Sequence, residues 1–267
     1  MCPEPRYSES FFWWGPSGVS PIRRSIGDLL RDGTIDLGSA TVLWAALARG
    51  SSLAVVAGPS GAGKTTLLTA LLAFLPPDMN RLYLRGCFET FSFLDDPATI
   101  PVETALLVNE ISPHLPVYLW GPAVERVLRA ADDGFTVLAT AHAESVPEFV
   151  STLTGSPLRI SAARVAAIHY VVVLERSVDS RSGRRISGVW RLERTRVGVG
   201  MDRVFWHPPD SVAETPMLAM QADALCPFPD DELIPRSRIL GRLRDGDIAR
   251  LLEGRWPPKA GRAVRTP

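Results

Sequence analysis

Residues 58–66 read GPSGAGKTT, and this segment constrains the fold of the chain more than any other. It matches the phosphate-binding loop pattern G-x-x-x-x-G-K-[ST]. Glycines let a backbone curl until successive N–H groups face phosphate oxygens, and a lysine ammonium neutralises part of their charge. The lysine of this motif is not explained by a lysine-rich composition, since Lys64 and Lys259 are the only lysines in the chain. The predicted polyphosphate site comprises Gly58, Pro59, Ser60, Gly61, Ala62, Gly63, Lys64, Thr65 and Thr66.

The flanking segments support a nucleotide site. Residues 53–57 are apolar and rich in valine, as in a buried parallel strand. Residues 66–75 are largely apolar and precede two prolines, which predicts a helix that ends there. In such loops the threonine after the lysine ligates Mg²⁺, so we expect Thr65 to hold the metal and the cofactors to be ATP and Mg²⁺.

Charge and cysteine usage narrow the function classes. The chain has 267 residues, 46% of them hydrophobic, and a formal net charge of zero. No overall field favours nucleic acid or an anionic membrane, so no nucleic-acid partner is expected. The three cysteines have no paired spacing, which indicates a reducing compartment and no zinc site. The sequence shows no apolar stretch of ~20 residues and no signal peptide, so the predicted location is cytoplasmic. Peripheral docking at the inner face of the membrane remains an alternative.

The order of apolar runs predicts an α/β fold, a mostly parallel sheet with helices on both faces. Residues 170–174 and 189–192 flank a polar turn and predict an antiparallel hairpin near the carboxyl end. The predicted domains are an irregular segment 1–24, a P-loop domain 25–207 and a proline-rich extension 208–267 that ends in a helix. The aromatic cluster 11–14 is either a docking patch or tucked against the domain, and we favour the second interpretation. Predicted strands are 53–57, 81–85, 105–108, 135–140 and 203–206; predicted helices are 25–30, 39–49, 66–75, 123–131 and 237–252.

Two polar residues follow predicted strands and are candidates for catalysis. In open α/β sheets such residues gather at the carboxyl ends of the strands, beside the ligand. Glu110 follows the strand 105–108 and has the chemistry to orient or deprotonate water. His142 follows the strand 135–140 and could donate a hydrogen bond to a γ-phosphate. Asp95 and Asp96, after the apolar residues 91–94, are a competing source of the metal-side carboxylate. We expect His114, His169 and His207 to be structural or exposed.

Together these segments resemble the secretion ATPase superfamily, the motors of type II and type IV secretion and of Tad-type pilus assembly, over residues 25–206. Residues 25–34 are similar to its lead-in segment and 172–185 to its C-terminal hairpin. Its acidic box corresponds to residues 88–90, which implies that Glu89 helps to orient water or metal. Its Walker B strand corresponds to residues 108–110, which makes Glu110 the catalytic glutamate that also contacts Mg²⁺ through water. Its histidine box corresponds to residues 139–143, which makes His142 the sensor.

The resemblance implies a RecA-like fold, a hexameric ring and a membrane platform protein as partner. The chain departs from the pattern at Asn109, where the family has glycine, and at Ser112, where it has arginine. The family's large N-terminal domain, with arginines that act across a subunit boundary, has no counterpart in the two dozen residues before the lead-in. Possible substitutes for these arginines are Arg23, Arg24, Arg81 and Arg85.

The function expected from these residues is that of an ATP-hydrolysing motor subunit for pilus assembly or protein secretion. A low-turnover, nucleotide-binding switch or regulatory subunit is the alternative, suggested by the departures at Asn109 and Ser112. A small-molecule kinase uses the same loop and is a third possibility. The chain has no Leu-Ser-Gly-Gly segment of the ABC type and no Asn-Lys-x-Asp guanine reader.

Overall fold

A computed structural model describes residues 24–58, 62–204 and 226–244. Seven strands and seven α-helices lie in this part of the chain, with short 3₁₀ turns between some of them. The helices are α1 Ile26–Arg31, α2 Leu37–Ala48, α3 Lys64–Leu71, α4 Pro122–Asp132, α5 Val146–Thr154, α6 Ala162–Val165 and α7 Asp230–Arg244. The strands are β1 Leu53–Ala57, β2 Asn80–Tyr83, β3 Thr104–Ile111, β4 Thr136–His142, β5 Tyr170–Arg176, β6 Arg184–Arg194 and β7 Val199–Val204.

The strands form one sheet in the order β2-β3-β4-β1-β5-β6-β7. The first five strands in this order, β2, β3, β4, β1 and β5, are mutually parallel. The strands β6 and β7 follow β5 at one edge of the sheet and pair antiparallel. Parallel strands deliver their carboxyl ends to the same edge of the sheet, where ligands bind in open α/β folds. The central strand β1 therefore leads the phosphate loop to that edge, and β4 lies between it and β3.

Helices cover both faces of this sheet, and alternate residues of β1 point to opposite faces. Leu53 and Val55 belong to one buried apolar cluster together with residues of α1, α2, α3 and α7. Ala54 and Val56 belong to a second cluster together with residues of α4, α5 and α6. All five residues of β1 are buried, as expected for a central strand covered on both sides. The predicted α/β P-loop fold, with its antiparallel C-terminal strands, is confirmed.

The helix α7 packs against α2, so the described part of the predicted C-terminal extension belongs to this core. Trp44 of α2 stacks on Phe74 with a centroid distance of 5.5 Å. The Arg236 guanidinium of α7 lies 5.6 Å from the Trp44 ring. Arg49 forms an ion pair with Glu232, and its guanidinium lies 4.9 Å from the Phe228 ring. This layer of helices is held by apolar contacts, cation–π contacts and the ion pairs of Glu232 with Arg49 and Arg236.

Some predicted elements differ from the structure. The strand predicted over 105–108 continues to Ile111, so Glu110 lies inside β3 and not after it. Residues 91–94 do not form a strand: Ser92–Leu94 is a 3₁₀ turn. The helices α5 and α6 were not predicted, because a proline near the start of α5 and the short length of α6 obscure their periodicity.

Several predictions lie outside the described residues: the aromatic cluster 11–14, Arg23, the loop residues Pro59, Ser60 and Gly61, His207, residues 205–206 and the terminal helix beyond 244. In the part of the chain that the structure describes, no helix is both long and apolar enough to cross a bilayer.

Candidate functional site

The amino-terminal end of α3 forms the floor of a cleft at the carboxyl edge of the sheet. Gly63, immediately before α3, has a φ of +92° and provides no side-chain cap. Such a backbone conformation favours glycine, because a Cβ atom would strain it. The first N–H groups of a helix have no partner within the helix, and the helix dipole adds positive potential there. An uncapped end lined by Ala62, Gly63, Lys64, Thr65 and Thr66 therefore fits an anion.

A buried ion pair forms the centre of the cleft. The Lys64 Nζ lies 3.2 Å from Glu110 Oε1, and the two side chains are only 8% and 11% exposed. The other carboxylate oxygen, Glu110 Oε2, accepts a hydrogen bond of 2.6 Å from the Thr140 hydroxyl. Because burying charged groups is costly without partners, this pair is sustained by its own contact and by Thr140. The three side chains come from α3, β3 and β4.

A bulge in β3 presents Glu110 to this centre. Val108 pairs with Ala139 and Ile111 with Ala141, so β3 contains one more residue than β4 over this interval. The Thr140 hydroxyl also contacts the Asn109 carbonyl oxygen, which ties the bulge to β4. A β-bulge re-aims side chains locally and is common beside active sites. The extra residue in β3 accounts for a glutamate that reaches the cleft from within a strand.

Two histidines, His114 and His142, also line the cleft. His142, at the end of β4, pairs with Ala57 of β1, and its ring contacts the His114 ring edge-on at a centroid distance of 4.4 Å. Burial lowers the pKa of His142, and the nearby positive charges of His114 and Lys64 lower it further; Glu110 and Glu148 act in the opposite direction. This shift favours the neutral imidazole at pH 7, and a neutral ring has one N–H donor.

Residues 112–119 fold back over the cleft after β3. Leu119 forms a bridge to Ile111, and its N–H donates to the Glu110 carbonyl oxygen. Tyr118 from this segment lines the cleft, and burial together with the Glu110 charge raises the pKa of its phenol. The segment passes so close to Gly86 that a Cβ atom there would lie 1.9 Å from the Val117 carbonyl oxygen. Because its pKa is raised, the Tyr118 phenol remains a hydrogen-bond donor at neutral pH.

The cleft has a volume of about 550 Å³, within the range of small-molecule sites. It combines an ammonium group, uncapped helix N–H groups and the Thr65 hydroxyl with one carboxylate. This donor set fits a polyphosphate with a divalent cation: Lys64 and the amides suit the anion, and Thr65 and Glu110 offer oxygens to Mg²⁺ directly or through water.

Other predicted residues lie away from this cleft. The Glu89 carboxylate accepts hydrogen bonds from the N–H groups of Arg85 and Phe91, both at 2.9 Å, and is absent from the lining residues. Glu89 follows β2, the edge strand, which β3 and β4 separate from β1. Its assisting role stays a prediction that this position does not favour. Asp95 and Asp96 are exposed, and Asp96 accepts from the Ala98 N–H in a turn.

The candidate arginines among the described residues also lie elsewhere. Arg24 forms an ion pair with Asp32, and Arg81 donates to the Leu72 carbonyl oxygen. Neither they nor Arg85 line the cleft, whereas Arg184, at the start of β6, does. His114, expected to be structural or exposed, is exposed but also lines the cleft. Sequence reasoning missed both roles, because each depends on a segment that folds back to the loop.

The fold and the cleft together define an α/β P-loop fold with an anion-suited site at the carboxyl edge of its sheet. The chain matches no protein-family model. Over 72 residues it is 35% identical to the thiamine import ATP-binding protein ThiQ of Photobacterium profundum, a match that covers 27% of this chain and 29% of ThiQ.

Two solved structures are similar to the chain. The VirB11 ATPase of the Brucella suis type IV secretion system, in complex with sulphate, is 21% identical, with a TM-score of 0.41, over 56% of this chain and 50% of that one. The Legionella pneumophila ATPase DotB is 18% identical, with a TM-score of 0.32, over 74% of this chain and 54% of that one. One of these two solved structures is an ATPase of a type IV secretion system. The chain spans 29% of ThiQ and about half of each solved chain, so its activity and partners are matters for proposal.

Proposed function

We propose that this chain binds Mg·ATP in the cleft and hydrolyses it, as a motor subunit of a pilus-assembly or secretion apparatus. The observation that supports hydrolysis is the meeting of a buried carboxylate with the phosphate loop: Glu110 contacts Lys64 at 3.2 Å and Thr140 at 2.6 Å. A phosphate cradle alone explains nucleotide binding. A carboxylate held beside it by a second residue also suits the activation of water.

Each residue has a distinct task in this proposal. Lys64 and the loop amides bind the phosphates, and Thr65 ligates Mg²⁺, which neutralises charge on the phosphate oxygens when it is bound. Phosphate oxygens compete with Glu110 for the Lys64 ammonium. The Glu110 carboxylate, still held by Thr140, then accepts a hydrogen bond from the attacking water. The neutral His142 ring donates to the γ-phosphate and so distinguishes ATP from ADP.

The direct test measures phosphate release and ATP binding for wild type, Glu110→Gln and Glu175→Gln. Glu110→Gln should lower the hydrolysis rate by about 10²–10⁴-fold and keep ATP binding, because it removes the base and leaves the cradle. Glu175→Gln is the matched control, since Glu175 is an exposed residue that pairs with Arg185. Equal rates for wild type and Glu110→Gln would remove Glu110 from catalysis. Glu89→Gln, measured alongside, tests the assisting role expected from the sequence.

A low-turnover switch is the second candidate, and the ion pair itself favours it. As long as Lys64 holds Glu110 Oε1, that oxygen is engaged by the ammonium and not by the attacking water. Saturable ATP binding, with an equally slow rate in wild type and Glu110→Gln, would select this function. A kinase would instead transfer labelled phosphate to an acceptor other than water.

The ring and the membrane partner rest on the sequence resemblance alone. We propose a homo-oligomer, hexameric by that resemblance, which acts on a membrane platform protein at the inner face of the membrane. Light scattering with and without a non-hydrolysable ATP analogue tests the assembly. A monomer under both conditions would contradict an autonomous motor.

A further inference from the structure

Arg184 lies directly against the phosphate loop although it is 121 residues from Gly63 along the chain. Its Nη1 is 3.0 Å, and its Cδ 3.3 Å, from the position that a Cβ atom would take on Gly63. The guanidinium therefore packs against the bare backbone of Gly63, where a side chain would crowd it. Arg184 also lines the same cleft as Lys64 and Glu110.

The charge of Arg184 is available to an anion. Among the ion pairs of the described residues, none includes Arg184, whereas Lys64 shares its charge with Glu110. The next residue, Arg185, pairs with Glu175 and Asp179. Since neighbouring strand residues point to opposite faces, the two arginines serve different surroundings.

The turn before Arg184 is anchored to the segment after α1. The Thr34 and Ser182 hydroxyls are 2.7 Å apart, and Ser180 Oγ donates to the Asp32 carbonyl oxygen at 3.0 Å. Ser182 Oγ in turn donates to the Arg184 carbonyl oxygen at 3.1 Å. Together these bonds fix the backbone from which the Arg184 side chain extends toward the loop. Preorganised donors lose less conformational entropy on binding.

We infer that Arg184 is a phosphate-binding residue, which contributes from the same chain a second cation to the polyphosphate held by Lys64. This inference rests on the proposed nucleotide site and assigns to the hairpin a task expected of arginines from across a subunit boundary. A guanidinium offers paired N–H donors to phosphate oxygens, which a lysine cannot match. The lead-in segment around Thr34 then acts as the support that positions it.

The test compares the dissociation constants of ATP, ADP and AMP for wild type, Arg184→Ala, Arg184→Lys and Arg185→Ala. Arg184→Ala should weaken ATP binding by about 10–100-fold, as expected for a lost hydrogen bond between charged groups, and AMP binding far less. Arg184→Lys should recover part of the loss. The control Arg185→Ala should stay within about twofold of wild type, since its surface pair contributes little.

The outcomes separate this inference from the proposed function. If wild type binds ATP saturably and Arg184→Ala binds it equally well, the role of Arg184 is wrong and the nucleotide site stands. If Arg184→Ala weakens ATP and AMP by the same factor, the residue supports the fold and not the phosphates, which also overturns the inference. If wild type binds no nucleotide at all, the proposed function fails with it. Thermal melting of these variants, and of the additional variant Arg184→Gln, identifies any protein that has lost its fold.

Discussion

The cleft and the helical layer of α2 and α7 differ in what holds them together. In the cleft, a buried lysine and a buried glutamate face each other 3.2 Å apart. In the helical layer, Trp44 stacks on Phe74 at 5.5 Å and the Arg236 guanidinium covers the Trp44 ring; ion pairs of Glu232 with Arg49 and Arg236 accompany this apolar packing. Apolar burial stabilises a fold in proportion to the area removed from water, whereas buried charges often contribute nothing net.

This difference separates stability from function within one molecule. The helical layer contains side chains that the fold needs, and a nucleotide need not touch any of them. The cleft keeps a charged pair that apolar side chains could replace without loss of stability. Such an arrangement is typical of sites where chemistry, and not the fold, determines the residues. Variants in the two regions should therefore affect different measurements.

The largest expected effect on stability comes from Trp44→Ala. Trp44 is 4% exposed, and its loss would leave a cavity against Phe74. We expect the free energy of unfolding in urea to fall by about 3–5 kcal/mol. The ATP affinity of the protein that remains folded should not change. Trp44→Phe keeps an aromatic ring for the stack and should lose less; a loss below about 1 kcal/mol for Trp44→Ala would contradict the role of this layer.

The second prediction concerns the ion pair of the cleft. Lys64→Met leaves the Glu110 carboxylate buried without its ammonium partner and should lower the free energy of unfolding by about 1–3 kcal/mol. Adding Glu110→Gln should restore most of that loss, because a neutral amide can remain with Thr140. Urea unfolding of the two single variants and the double variant gives the coupling energy.

The surface ion pair of Arg185 with Glu175 is the control for the buried pair of the cleft. Its side chains are 50% and 46% exposed. Its coupling energy should lie between about 0 and 1 kcal/mol. If the two coupling energies were equal, the contrast between a buried functional pair and a surface pair would be wrong.

Local patterns predicted the parts of the site that are close in sequence. The loop and the start of α3 follow from one motif, and the β1 strand from a run of apolar residues. Glu110 and His142 were predicted as strand-end residues, although the bulge that places Glu110 within β3 was not visible. The contact between Lys64 and Glu110 needs the strand order, in which β4 lies between β1 and β3.

The residues that sequence reasoning missed depend on contacts between distant segments. Arg184 reaches Gly63 only because β6 pairs with β5, which pairs with β1. His114 reaches His142 because residues 112–119 fold back through the bridge from Ile111 to Leu119. Glu89 also follows a strand, but that strand is at the edge of the sheet, and its assisting role stays a prediction.

A smaller effect is expected from Thr140→Val, which keeps the side-chain shape and removes the hydroxyl. The hydrogen bond of 2.6 Å to Glu110 would be lost, and the carboxylate would be less well oriented toward water. We expect the hydrolysis rate to fall about tenfold, equivalent to ~1.4 kcal/mol, with little change in ATP affinity. Thr140→Ser should recover the rate because it restores the donor. An ATP affinity that falls as much as the rate would assign Thr140 to binding instead.

The smallest expected effect is a shift in the pKa of His142, measured by its imidazole resonances in an NMR titration. Burial and the charge of His114 both lower this pKa, so His114→Ala should raise it, whereas Glu148→Gln removes an opposing carboxylate and should lower it further. Because the folded-state pKa lies below the ordinary value of 6.5, the unfolded chain takes up the proton first as the pH falls. The His142 contribution to the free energy of unfolding therefore decreases as the pH falls from 6.5 to the folded-state pKa. Above pH 6.5 this contribution does not change with pH. His142→Gln should flatten that part of the stability profile, while Trp44→Phe should lower the profile without changing its shape. A His142 pKa that did not respond to His114→Ala would mean that the two rings do not meet in solution.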